Sequence, residues 1–180
     1  KTLLITGATN GIGLETARAL GRLGARLGLV ARDPAKGERV VSELRASTGN
    51  DHIDLFVADL GVQASIRSLA EQVLARYQRL DGLINNAGGV FSPRTTTADG
   101  IETTWAVNHL AYFLLTHLLL DRLKASAPAR IVSVSSGAHL SGQLRLDDPE
   151  FKRGGYSPFA AYSQSKLANV LFTFELARRL

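Results

Sequence analysis

The chain has 180 residues, enough for one domain with a single hydrophobic core. Apolar residues make up 45% and charged residues 21%, a globular composition. With no cysteine, disulfides, thiol nucleophiles and thiolate metal sites are excluded, and a reducing, cytoplasmic location is expected. The net charge of +5 would suit nucleic acid, but the basic residues are interspersed with acidic ones, as in RDPAKGERVVSELR, and no stacking aromatics interleave with them. No nucleic-acid partner is therefore expected. His52, His109, His117 and His139 show no metal-ligand spacing, so no metal is expected either. The longest apolar run, AYFLLTHLLL, is broken by Thr116 and His117 and is too short to span a bilayer.

Short aliphatic runs alternate with longer amphipathic ones. TLLIT reads as a buried strand closed by Gly7. A helix follows from Gly11 to Leu23, with Gly24 as its stop. ARLGLVA is a second strand. Asp33 then fits an N-cap and Pro34 the first helical position, and that helix ends near Gly49. IDLFVAD is a third strand, and Ile66, Leu69, Val73, Leu74 and Tyr77 mark the next helical stripe. LDGLINNA is a fourth strand. A long helix is predicted from Ile101 to Ala125, ARIVSVSS is a fifth strand, and Ser157-Pro158 opens a last helix. This alternation predicts an α/β fold: a doubly wound parallel sheet, Rossmann-like and three-layered, as one NAD(P)-binding domain over residues 1–180. The chain opens on Lys1 rather than Met and stops after the last helix, so it is expected to be a fragment of a longer chain whose C-terminal strands are missing here.

In such sheets ligands bind beyond the carboxyl ends of the strands, so the residues after each strand are the informative ones. TGATNGIG follows the first strand. Its spacing is GxxxGxG, and Gly7, Thr9, Asn10, Gly11, Ile12 and Gly13 are candidates to cradle a pyrophosphate at a helix N-terminus. After the second strand, Asp33 lies about 20 residues beyond the glycines, where a ribose-binding acid would favour NAD. Its role as a helix cap is the better reading, which leaves Arg32 to pair with a 2′-phosphate and favours NADP over NAD. Asp59 and Leu60, after the third strand, suit adenine, although Asp59 suits a helix cap equally well. Asn86, Ala87 and Gly88 end the fourth strand, where small residues admit a flat cofactor. Two adjacent Asn residues in a core strand need hydrogen bonds, so a structural or ligand-binding duty is expected of them. The fifth strand ends in the hydroxyls of Ser135 and Ser136. Asn108 interrupts an apolar run, as a satisfied core amide or as part of a relay. Tyr162 and Lys166 share one helical face, one turn apart.

TGATNGIG, Asp59-Leu60, NNAG, Asn108, VSS and YSQSK occur in the order found in the short-chain dehydrogenase/reductases. The chain resembles that family over its whole length. The phrases VNHLAYFLLTHLLL, ARIVSVSSGAH and YSQSKLANVLFTFELARRL resemble its retinol-dehydrogenase-type branch. The resemblance implies an NADP(H)-dependent oxidoreductase acting on a small-molecule alcohol/carbonyl pair of lipophilic kind. In the tetrad it implies, Tyr162 exchanges the proton and Lys166 binds the nicotinamide ribose and lowers the tyrosine pKa. Ser136, rather than Ser135, holds the substrate oxygen, and Asn108 holds a water that links Lys166 to solvent. It also implies that the long segment HLSGQLRLDDPEFKRGGYSPF between Ser136 and Tyr162 forms a lid or wall beside the substrate, and that a homo-oligomer pairs through the last two helices. The rival readings are a catalytically silent NAD(P)-binding sensor of the same fold and a nucleotide-sugar epimerase. The glycine spacing counts against the epimerase.

Overall fold

Aliphatic residues with no polar alternation build the strands. In this computed structural model, which describes residues 1–180, they are β1 (Thr2–Thr6), β2 (Arg26–Ala31), β3 (Ile53–Val57), β4 (Gly82–Asn85) and β5 (Arg130–Ser133). The sheet order is β3-β2-β1-β4-β5. β1 pairs in parallel with β2 and β4, and β2 with β3. The fold is thus the expected doubly wound α/β sheet. Its order reverses between β1 and β4, the switch point at which such sheets bind ligands.

The helices are α1 (Gly11–Arg22), α2 (Pro34–Thr48), α3 (Gln63–Arg76), α4 (Thr103–Trp105), α5 (Ala111–Ala125) and α6 (Pro158–Arg179). Their ends follow local chemistry. The Asp33 carboxylate accepts from Lys36 N at 3.0 Å and caps α2, and Gly49 closes that helix in the left-handed region. Ser157 caps α6 ahead of Pro158. The predicted helix over 101–125 differs in two respects. It begins at Thr103, because the buried Glu102 carboxylate accepts from Thr104 N and Trp105 N, both at 2.7 Å. Between α4 and α5 the helix also widens into a π-helical turn, Ala106–Leu110, which contains Asn108. A 3-10 turn, Gly137–Ser141, follows β5 and was not expected.

The chain groups into two compact units interleaved in sequence. One comprises Lys1–Asp59, Ala64–Ala87 and Leu115–Val132, and the other Leu60–Gln63, Gly88–Leu114 and Ser133–Leu180. In the first, Leu4, Ile5, Leu27, Leu29, Leu44, Ile53, Leu69 and Leu83 are fully buried, each contributing about 1.5–3 kcal/mol. In the second, Ala111, Tyr112, Phe151, Ala161 and Ala168 are buried beside the polar residues Asn108, Ser165, Lys166 and Asn169. No helix is long and apolar enough to cross a membrane.

Candidate active-site residues

The first unit holds the glycine turn. Gly7 has φ +64°, and a Cβ there would meet Ala87 Cα at 2.7 Å, so both conformation and space demand glycine. A Cβ on Gly13 would lie 2.4 Å from Gly7 O and from Asn86 Nδ2. The turn is pinned from β4. Asn86 Nδ2 donates to Thr6 O at 2.9 Å and to Gly7 O at 3.1 Å, while Thr6 Oγ1 accepts from Asn86 N and Ala87 N. Asn86 and Ala87 therefore shape the turn as well as bordering it. Asn85 donates to Thr116 Oγ1 at 3.0 Å. Thr6 was missed in the sequence, although it directly precedes Gly7.

The N-terminus of α1 has no side-chain cap: Asn10 makes no such bond. Asn10, Gly11 and Ile12 are exposed and Thr9 is half-buried. Uncapped, exposed N–H groups at a helix start, beside glycines that admit close approach, suit a pyrophosphate. The residues present therefore fit a dinucleotide. Arg32 follows β2 and is exposed, whereas Asp33 is engaged as the α2 cap. Asp59 is exposed, and its N–H donates to Ser65 Oγ at 2.9 Å.

The second unit holds Gly88, Asn108, Ser136, Tyr162 and Lys166, and also Leu60, which is buried. Tyr162 and Lys166 lie in the first turns of α6. The ring of Tyr162 is half-buried, and Lys166 Nζ sits 5.5 Å from its centroid. Only 4% of Lys166 is exposed. Its ammonium donates to Val134 O at 3.0 Å, and burial pushes its pKa down to about 8. Ser135 Oγ donates to Lys166 O at 3.0 Å and so anchors α6. Ser136 Oγ instead accepts from Ala138 N at 3.2 Å, and its own hydrogen remains available to a ligand.

Asn108 is fully buried. Its Oδ1 accepts from Gly89 N at 3.0 Å, while Nδ2 donates to Gly89 O at 2.9 Å and to Ser165 Oγ at 3.1 Å. Both amide hydrogens are committed, so a water would meet this side chain only at the second lone pair of Oδ1. A Cβ on Gly88 would stand 2.8 Å from that Oδ1 and 3.7 Å from Lys166 Nζ, which keeps this position small. Sequence reasoning also missed Tyr112. It is fully buried, its ring centroid is 5.8 Å from Lys166 Nζ, and it lies four residues beyond Asn108.

The segment after Ser136 is tied down. Tyr156 O–H donates to Phe91 O at 2.9 Å and lies 3.3 Å from Glu102 Oε1 and 3.2 Å from Thr104 Oγ1. Glu150 Oε2 accepts from Glu102 N, and Gln164 Nε2 donates to Pro149 O at 2.7 Å. These bonds anchor the segment to α4 and α6. No group of three or more His, Asp or Glu side chains is placed to hold a metal.

Residues 1–148 match the family model described as short chain dehydrogenase. Retinol dehydrogenase 12 of Mus musculus is 53% identical over 180 residues, all of this chain and 57% of its own length. Among solved structures, a protein from Mycobacterium paratuberculosis superposes with a TM-score of 0.88 at 42% identity, covering 100% of this chain and 62% of that one. A metagenomic short-chain oxidoreductase in complex with NADP superposes with a TM-score of 0.80 at 32% identity, covering 100% and 76%. The chain thus spans about 57% of the length of that curated relative.

Proposed function

Since this chain belongs to the short-chain dehydrogenase family, we propose that the protein carrying it is an NADP(H)-dependent oxidoreductase that interconverts an alcohol and its carbonyl. The observation that carries this reading is the Tyr162–Lys166 pair: a half-buried phenol with a buried ammonium 5.5 Å from its ring, one helical turn along. When bound, the nicotinamide supplies or accepts the hydride. The protein's part is to hold the oxygen and move its proton. A phenol hydroxyl poised beside the reacting oxygen can act as general acid or base. Tyr162 Oη is thus the atom that takes the proton from the alcohol or returns it to the carbonyl oxygen. The Ser136 hydroxyl, whose oxygen already accepts from Ala138 N, donates to that same substrate oxygen. Asn108 holds Gly89 and Ser165 in place beside Lys166.

For NADP over NAD, the support is that Asp33 is engaged as a helix cap while Arg32 is exposed at the end of β2, free to meet a 2′-phosphate. A lipophilic substrate is supported by the retinol dehydrogenase relatives and by Leu140 and Leu146, exposed in the segment after Ser136. Cytoplasmic residence belongs to the same reading, from the absence of cysteine. So does homo-oligomerisation through α5 and α6, where Phe113, Leu171 and Phe174 are exposed.

The test uses the full-length protein with NADPH or NADH and a panel of aldehydes and ketones that includes retinaldehyde. NADPH oxidation is expected, with NADH markedly weaker. Tyr162→Phe should lower kcat at least about a hundredfold while NADPH binding, read by fluorescence, is kept. Near-full activity in that variant would refute the mechanism. Binding of NADPH with no turnover on any carbonyl would establish the silent sensor instead.

A further inference from the structure

Lys166 has an aromatic neighbour besides Tyr162. Its Nζ lies 5.5 Å from the Tyr162 ring centroid and 5.8 Å from that of Tyr112, so the ammonium is flanked by two phenol rings. Both distances are within the range of a cation–π attraction, which strengthens when the cation is desolvated. Tyr112 is 1% exposed, and its hydroxyl has no hydrogen-bond partner. A buried phenol usually keeps its hydroxyl bonded, so hydrogen bonding does not account for a tyrosine at this place. What the ring face does present, 5.8 Å from its centroid, is the Lys166 ammonium. The remaining polar contact of Lys166 Nζ is the Val134 carbonyl, and no acidic group neutralises it: burial alone displaces its titration. Tyr162 and Tyr112 are thus the titratable groups that face it, from its own helix and from α5. Burial raises the pKa of Tyr112, and Tyr162 disfavours its ionisation further. Tyr112 therefore stays neutral, and its ring face stays available to the cation.

We propose that Tyr112 is a positioning residue of the site, its ring holding the Lys166 ammonium charged and in place opposite Tyr162. The proposal rests on the oxidoreductase reading for its purpose, but not for its test. The ring, and not the hydroxyl, does the holding.

The experiment follows Lys166 by NMR in the full-length protein with isotope-labelled lysine, its signal assigned by loss in Lys166→Arg. In the unmutated protein the midpoint is expected at about 8. Tyr112→Phe, which keeps the ring, should leave that midpoint in place. Tyr112→Leu should lower it by about 1.5 pH units, the size of a desolvated cation–π contact. Because the leucine variant can fail to fold, trifluorophenylalanine is also placed at the same position. It preserves shape while emptying the ring face of charge, and should lower the midpoint as leucine does. A midpoint unmoved or raised by the fluorinated ring overturns the proposal, and so does a Tyr112→Phe shift as large as that of Tyr112→Leu. Absence of any carbonyl turnover beside these shifts would count against the oxidoreductase reading alone.

Discussion

Lys166 is a cation kept out of water, and that has a cost in stability. Its amine titrates at about 10.5 in an open chain and at about 8 in the fold. Between those values the unfolded chain binds the extra proton, so stability rises as pH rises from about 8 to about 10.5. Below about 8 the fold carries the full penalty of the buried charge, up to about 3 kcal/mol. The bond to Val134 O and the two ring contacts offset part of it. Lys166→Met should therefore raise the melting temperature at neutral pH, by a net of about 1–2 kcal/mol, and the gain should fade above about pH 10. Thermal denaturation across pH checks this, and a lower melting temperature at neutral pH would contradict it. Much of this site could be read in the chain beforehand. The four-residue spacing of Tyr162 and Lys166 says little by itself, since any helix places such pairs on one face; it was the ordered set of motifs resembling the family that singled them out, whereas the glycines of the first turn stood out by the strand before them and the helix after. Tyr112 could not be read, because one aromatic in the run AYFLL looks like core packing until Lys166 is placed beside its ring.

Helix ends were legible wherever a cap is a local matter, as at Asp33 and Gly49. The start of α4 was placed two residues early because its cap, Glu102, works through a side chain that is a poor N-cap by type and is fixed by distant partners: its carboxylate accepts from the Tyr156 hydroxyl, and its backbone N–H donates to the Glu150 carboxylate. The π-helical turn at Ala106–Leu110 was invisible for a similar reason. Asn108 is turned inward to Gly89, Ser165 and Asn169, partners distant in sequence, and no local pattern signals an extra residue in a turn. Glu102→Ala leaves Thr104 N and Trp105 N without an acceptor. It is expected to cost about 2 kcal/mol, read as a lower urea midpoint, whereas Glu102→Gln should recover part of that. Equal midpoints for Glu102→Ala and the unmutated protein would mean that this cap adds nothing.

At the scale of the whole molecule, the alternation of strands and helices, and the parallel sheet it implies, followed from which runs are continuously apolar. The division into two units did not, because each unit is assembled from three separated stretches of chain. Assembly into a homo-oligomer through α5 and α6 makes a separate prediction. Phe174 is 71% exposed on α6, so Phe174→Glu should shift the mass measured by light scattering from dimer to monomer. A monomer before any mutation would remove the proposal. The bonds of Tyr156 to Phe91, Glu102 and Thr104 have a further consequence. Swinging the 142–156 stretch outward would strip a buried carboxylate of its phenol and loosen the beginning of α4 together with it. Under the proposed function, a substrate would therefore meet this stretch as a fixed doorframe rather than as a hinged gate.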